Sequence, residues 1–345
     1  MTPGSATPAA SRRAAPGHGA PSDGGPAARA ELIRALAALA ELPGPGHPRL
    51  ARLLGLPGEP RPGAYTDLFL MNLYPYASVH LGAEGMLGGE ARDRVAGFWR
   101  ALGAIPPAEP DHLGALLGLL GALRERTDSA ERMGPASPHL ELARRARRAL
   151  LAEHLLPWCP PFLERVRAEG DACYAAWAGL VQTLLEAEAR DAREADPALD
   201  PPLSRHLAEA PALPDPRADG SPGGGARAGG VASGAEAFLA ALLAPVRSGV
   251  ILIRRDLARA GHELGMGVRQ GERRYVLKAL LGQDACATLR WLAEEARRQA
   301  SCHRGTEGWD APTRTFWEAR ARATARLLDE LAADAAEAPR TVDPG

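Results

Sequence analysis

The chain has 345 residues, 46% of them hydrophobic and 24% charged, with 41 basic against 42 acidic residues. This excludes a wholly disordered chain, and the longest unbroken apolar-plus-glycine run, 113–123, is well short of the ~18 or more residues that span a bilayer. The formal net charge of −1 argues against the broad basic surface of a nucleic-acid binder.

Residues 1–27 are Pro, Gly, Ala and Ser with almost no large apolar side chain, so a disordered tail is expected there. Arg12-Arg13 is followed by Ala, Pro, Gly and His rather than an apolar segment, so the chain is not expected to carry its own export signal. Helical spacing then begins. Segments 28–42, 138–156, 171–192, 284–301 and 312–337 are expected to be helices. Tyr65, Leu68, Phe69 and Asn72, extended by Tyr76, share one helical face. Val95, Phe98, Trp99 and Leu102 repeat the i, i+3, i+4, i+7 pattern, as do Leu113, Leu116, Leu117 and Leu120. Gly44, Gly88-Gly89, Pro106-Pro107, Ser137-Pro138 and Pro160-Pro161 punctuate these segments. The stretch 211–234 returns to Gly and Pro and reads as an internal linker. Val250-Ile251-Leu252-Ile253 reads equally as a strand, a loop or a helix entry. The expectation is an all-α helical bundle of about ten or more helices. Residues 28–210 would form its main domain and 235–337 a C-terminal part packed on that domain, with 338–345 a second disordered tail.

Catalytic signatures are missing. The glycines at 82–89 lack the Gly-Lys-Ser/Thr of a phosphate loop, and neither G-x-S-x-G nor H-E-x-x-H occurs. Cys159, Cys173, Cys286 and Cys302 form no C-x-x-C pair and read as reduced thiols of a cytoplasmic protein. No catalytic residue, metal or cofactor is therefore expected. Arg144, Arg145, Arg147 and Arg148 read as a solvated helix face, with Glu141 pairing to Arg145. A second basic cluster spans 254–262 and 271–281 and imitates a helix-turn-helix DNA reader, but its connection is longer than that motif's tight turn.

Three features stand out together. The first is Tyr65-Thr66-Asp67-Leu68-Phe69, continuing to Leu73-Tyr74-Pro75-Tyr76. The second is Glu109-Pro110-Asp111-His112, and the third is His154-Leu155-Leu156-Pro157-Trp158. Each has a plain structural explanation. The aromatics fill a core, Glu109 and Asp111 complement a helix macrodipole, and prolines around Trp158 build a corner. A charged His112 gains nothing at a helix N-terminus, so the dipole leaves it unexplained.

In combination they resemble the cytoplasmic chaperones of molybdenum-cofactor oxidoreductases, the TorD/DmsD/NarJ type. Tyr65-x-x-Leu68-Phe69 is similar to that family's aromatic-x-x-Leu-Phe element, and Glu109-Pro110-Asp111-His112 to its Glu-Pro-x-Asp-His element. Here no residue separates Pro110 from Asp111, so Asp111 and His112 carry over directly and Glu109 less so. The resemblance implies an all-helical binding protein, not an enzyme. It would hold the apo form of a molybdopterin oxidoreductase through its twin-arginine leader peptide until cofactor insertion and export. Asp111 and Glu109 would accept the guanidinium forks, beside a greasy surface from Tyr65, Leu68, Phe69, Tyr76 and Trp158; Pro110 belongs to the same peptide-binding set, and His112 would titrate near neutral pH and modulate the site. No nucleic acid and no stable membrane insertion belong to that reading. A DNA-binding regulator and a small-molecule enzyme with an unrecognised helical site are the alternatives.

Overall fold

Apolar spacing and Pro/Gly punctuation are translated into helices almost everywhere. The computed structural model describes residues 26–134, 137–195, 203–217, 234–268, 271–305 and 310–337. Helices α1 (Pro26–Ala38), α2 (His47–Leu53) and α3 (Pro62–Tyr65) open the chain. The last of these runs directly into a π-helical turn, π1 (Thr66–Asn72). Helices α4 (Ala77–Leu81), α5 (Gly89–Ala101), α6 (Leu113–Met133) and α7 (Pro138–Ala149) follow. A second π-helical turn, π2 (Leu150–Leu155), leads to α8 (Cys159–Glu169), α9 (Ala172–Glu194) and the short α10 (Arg205–Ala208). The C-terminal part comprises α11 (Gly234–Leu242), α12 (Pro245–Ser248), α13 (Arg254–Glu263), α14 (Arg273–Gln283), α15 (Ala285–Gly305) and α16 (Ala311–Glu337). Among the described residues there is no β-strand, only an isolated antiparallel bridge between Tyr76 and His112.

The expected tail at 1–27 lies outside the described residues up to residue 25, and the tail at 338–345 lies outside them entirely. Of the expected linker 211–234, residues 218–233 also lie outside. The described portion ends on Arg217, which bridges to Glu330 at 2.7 Å and Asp334 at 3.2 Å on α16.

Two apolar clusters form the interior. The first is built from α1, π1, α6, π2, α8 and α9, with Phe69, Trp158, Phe162, Tyr174 and Trp177 at its centre. It also takes in Val246, Ile251, Ile253 and Trp317 from beyond the Gly/Pro-rich stretch. The second joins α11, α13, α14, α15 and α16. Hydrogen bonds cross between the two regions. Trp317 Nε1 donates to Pro157 O at 2.9 Å, and buried Arg165 of α8 donates to buried Asp256 of α13 at 2.8 Å.

The segment Val250–Ile253 is buried outside any regular element, and side chains bond much of its backbone. Ser248 Oγ serves Val250, the amide of Gln299 both accepts from Ile251 N (2.9 Å) and donates to Ile251 O (3.3 Å), Arg273 donates to Leu252 O, and Asp256 accepts from Ile253 N. The basic runs also differ from expectation. Arg147 does not face solvent: it is buried beside the fully buried Glu188 at 3.6 Å, because α7 packs between α6 and α9. Within the helix–loop–helix at 254–281, Arg255 bonds Glu169 O and Asp67. Arg259 bonds Asp256 and Glu295, so these guanidinium groups serve the fold.

Candidate functional site

Two proline-marked breaks in the helical pattern create the site. Pro75 stops the π1 segment, and Pro110 precedes α6. The two extended stretches they leave pair through Ala77 N to Asp111 O at 3.0 Å and Leu113 N to Pro75 O at 2.8 Å. This pairing brings Tyr76 against the Glu109–His112 loop. The Tyr76 hydroxyl donates to Glu109 Oε2 at 2.8 Å, and its ring meets the His112 ring edge-on at 4.9 Å. Trp99 Nε1 donates to Pro110 O at 3.3 Å and fixes the loop from the other side.

Asp111 and His112 each end a helix. Asp111 is buried, and its carboxylate accepts from Ser78 N at 3.0 Å, capping α4 rather than facing solvent. His112 is the N-cap of α6, with Gly114 N donating to Nδ1 at 3.1 Å. A neutral ring with a lone pair at Nδ1 supplies what a charged one cannot. Glu41, just beyond α1, places Oε1 3.1 Å from the same nitrogen. The hydrogen bond with His112 is the main influence holding the Glu41 carboxyl below its ordinary range. The α-carbon of Gly114 lies so close to Glu41 that any Cβ there would collide with Oε1.

The tyrosines feel this concentration of carboxylates. Burial, reinforced by the fields of Glu41 and Glu109, pushes the Tyr65 hydroxyl up to about 12. Burial and the hydrogen bond to Glu109 also raise Tyr76. Glu41 and Glu109 are exposed, and the large apolar residues near them in the chain, Leu42 and Ile105, are 57% and 91% exposed. The resulting notch is acidic. A groove of about 590 Å³ lies further along α6, lined by Leu102, Leu123, Met133, Leu142 and Ala146 among others. The loop that starts at Leu102 ends at His112, so it joins groove to notch.

The other expected site residues lie elsewhere. Tyr65, Leu68, Phe69 and Trp158 are buried, at 4% exposure or less. Phe69 centres an aromatic cluster with Tyr65 at 5.2 Å, Tyr174 at 5.2 Å and Trp177 at 5.9 Å. Trp158 stacks on His80 at 5.1 Å and donates to His154 O. These four therefore present no open greasy surface here; the first apolar cluster encloses them, and they hold up the notch from beneath. Tyr65 reaches it through its hydroxyl, which donates to Ala40 O at 3.3 Å beside Glu41. Of the nine expected residues, Tyr76, Glu109, Pro110, Asp111 and His112 come together. Glu41 joins them without any signal in the sequence: it sits in an unremarkable polar stop before Pro43-Gly44.

With the geometry in place, comparison with known proteins adds a second line. Residues 62–164 match the family model described as nitrate reductase delta subunit, a segment that contains all nine expected residues and not Glu41. Two curated relatives, each called chaperone protein TorD and from Vibrio vulnificus strains YJ016 and CMCP6, are 33% identical over 109 residues. Those residues make up 29% of this chain and 49% of each relative, so the match spans about half the relatives' length. No solved structure matches. Over this segment the chain is similar to chaperones of the TorD/NarJ type.

Proposed function

We propose that this chain is a redox-enzyme maturation chaperone. It binds the twin-arginine leader, and through it the apo form, of a molybdopterin oxidoreductase before cofactor insertion and export. The observation that carries the reading is the notch: two exposed carboxylates, Glu41 and Glu109, that both act on Tyr65, with exposed Leu42 and Ile105 near them in the chain. Carboxylates bind guanidinium forks in a bidentate way, and exposed apolar side chains receive the leader's apolar stretch. From notch to groove the distance along α6 is about 20 Å at 1.5 Å per residue, within reach of one leader peptide. In this reading 28–210 form the chaperone body, 211–234 a linker and 235–337 a support packed on the body. The protein acts in the cytoplasm and makes or breaks no bond.

The similarity to TorD-type chaperones over 62–164 supports the same reading. The alternative of a DNA reader at 254–281 is disfavoured by the internal ion pairs of Arg255 and Arg259. Isothermal titration with a synthetic leader peptide tests the proposal. The Arg-Arg form is expected to bind at least about tenfold more tightly than the Ala-Ala form, the scale of one charge-assisted contact. Equal affinities would reject recognition of the arginines.

A further inference from the structure

One nitrogen in the notch faces two partners that it cannot satisfy at once. His112 Nδ1 lies 3.1 Å from Gly114 N, a group that can only donate, and 3.1 Å from Glu41 Oε1, which as a carboxylate can only accept. With a lone pair at Nδ1 the ring caps α6 and offers nothing to Glu41. With a proton there it donates to Glu41 and leaves the Gly114 amide without its acceptor. An imidazolium carries hydrogen on both nitrogens, so protonation forces the second arrangement. The carboxylate is already in position for it, resting beside Gly114, which has no side chain to displace it.

The geometry points to a proton-governed latch on the peptide site: His112 and a client arginine compete for the Glu41 carboxylate. Neutral His112 leaves Glu41 open to a guanidinium group, whereas protonated His112 occupies Glu41 and adds a positive charge that repels the arginine. The inference rests on the peptide-binding reading and adds its regulation. Acid therefore releases the leader, and leader binding in turn expels a proton from His112, because the two effects are one coupling seen from both sides.

The surrounding groups leave that role to His112. Tyr76 meets its ring and Tyr65 lies beneath; both hydroxyls are raised and stay protonated across the range in which histidines titrate, roughly pH 5 to 8. Glu41 is lowered chiefly by its hydrogen bond with His112, so the lowering belongs to the arrangement in which Nδ1 carries the proton. Asp111, next in the chain, is engaged by Ser78 N, and Glu109 by the Tyr76 hydroxyl. His47 also influences Glu41, but its Nδ1 accepts from Gly44 N at 2.9 Å and its Nε2 lies 2.9 Å from Ala38 O.

The test measures affinity for a synthetic peptide carrying Arg-Arg ahead of an apolar stretch, at pH 8.0 and pH 5.5, in the full chain. The readout is the ratio of the two affinities. About a tenfold weakening at the acid pH is expected, within the usual range for coupled sites. His112→Asn keeps an acceptor for the Gly114 amide but cannot protonate, and Glu41→Gln removes the contested charge; each is expected to bring the ratio near one. A full ratio in either variant overturns the latch. A second measurement needs no peptide: the Gly114 amide resonance of isotope-labelled protein should shift as His112 titrates, and stay fixed in the His112→Asn variant. A Gly114 amide indifferent to pH overturns the latch even if the peptide binds. A Gly114 amide that follows His112, with no peptide bound at either pH, instead overturns the peptide-binding reading.

Discussion

The two halves of the sequence motif behave in opposite ways. Tyr65, Leu68 and Phe69 are buried in the first apolar cluster, whereas Tyr76 is half-buried, its hydroxyl bonded to exposed Glu109 and its ring against buried His112. Tyr65, Phe69 and Tyr76 are all aromatic and lie within a dozen residues on one strip of chain. The difference is Pro75. Before it, the chain is helical and its apolar face turns inward; after it, an extended turn lifts Tyr76 to the surface and against the acidic loop. A shared motif is therefore not a shared surface. One half builds the platform, and the other half lies against the acidic loop.

That contrast is broken most forcefully from the inside. Phe69→Ala removes a fully buried ring that touches Tyr65, Tyr174 and Trp177, and should cost about 3–5 kcal/mol. Urea unfolding measures it. The molecules that remain folded should bind leader peptide normally if the platform only supports the notch.

Acid separates the regions in a second way. Burial holds His80, stacked on Trp158, and His154, packed against Phe98 and His206, down at about 4. Their folded values lie below that of an unfolded histidine, near 6.5, so the unfolded chain takes up protons first. The stability they supply is complete above about pH 6.5 and is lost as pH falls towards 4, by up to about 3 kcal/mol for each ring. Unfolding curves at pH 7.0, 5.5 and 4.5 should show a progressive loss. A flat profile would mean that the buried rings take up protons in the folded protein over the same range as in the unfolded chain.

Smaller effects are expected at the junction and at the rim. Asp111→Ala takes the cap from α4 and should cost about 1–2 kcal/mol in thermal or urea unfolding. Leader affinity should weaken in step only if α4 positions Tyr76. Glu109→Gln removes an exposed charge, so stability should change by less than about 0.5 kcal/mol. Leader affinity should fall several-fold all the same, and if both stay constant the notch ends at Glu41.

The helices were legible because their apolar stripes repeat at i, i+3, i+4 and because Pro and Gly mark their ends; 171–192 and 312–337 return as Ala172–Glu194 and Ala311–Glu337. The π-helical turns were not. Leu73 N reaches back to Leu68 O and Leu156 N to Leu151 O, one residue further than in an α-helix. So slight a widening leaves the apolar pattern intact. The loop Glu109–His112 could be found from its residue types, but not the division of labour within it. Whether Asp111 faces an arginine or a backbone amide depends on where Ser78 lies, and short-range spacing does not carry that information. Glu41 was hidden for the same reason: only the packing of α1 on α6 sets it beside His112. Arg147 was misread because an arginine-rich face looks solvated until a buried partner such as Glu188 is known.

The segment Val250–Ile253 carries a consequence for the life of the chain before it is folded. Four consecutive branched apolar residues without Pro or Gly form the kind of sequence that templates intermolecular sheets, because a lone extended segment displays unpaired amides and carbonyls. Here Ser248, Gln299, Arg273 and Asp256 take places a neighbouring strand would fill, and the segment itself is buried. The safeguard exists only once α15 has delivered Gln299 to the segment. A protein whose own task would be to shield an unfinished client thus passes through an interval in which its stickiest segment is itself unguarded.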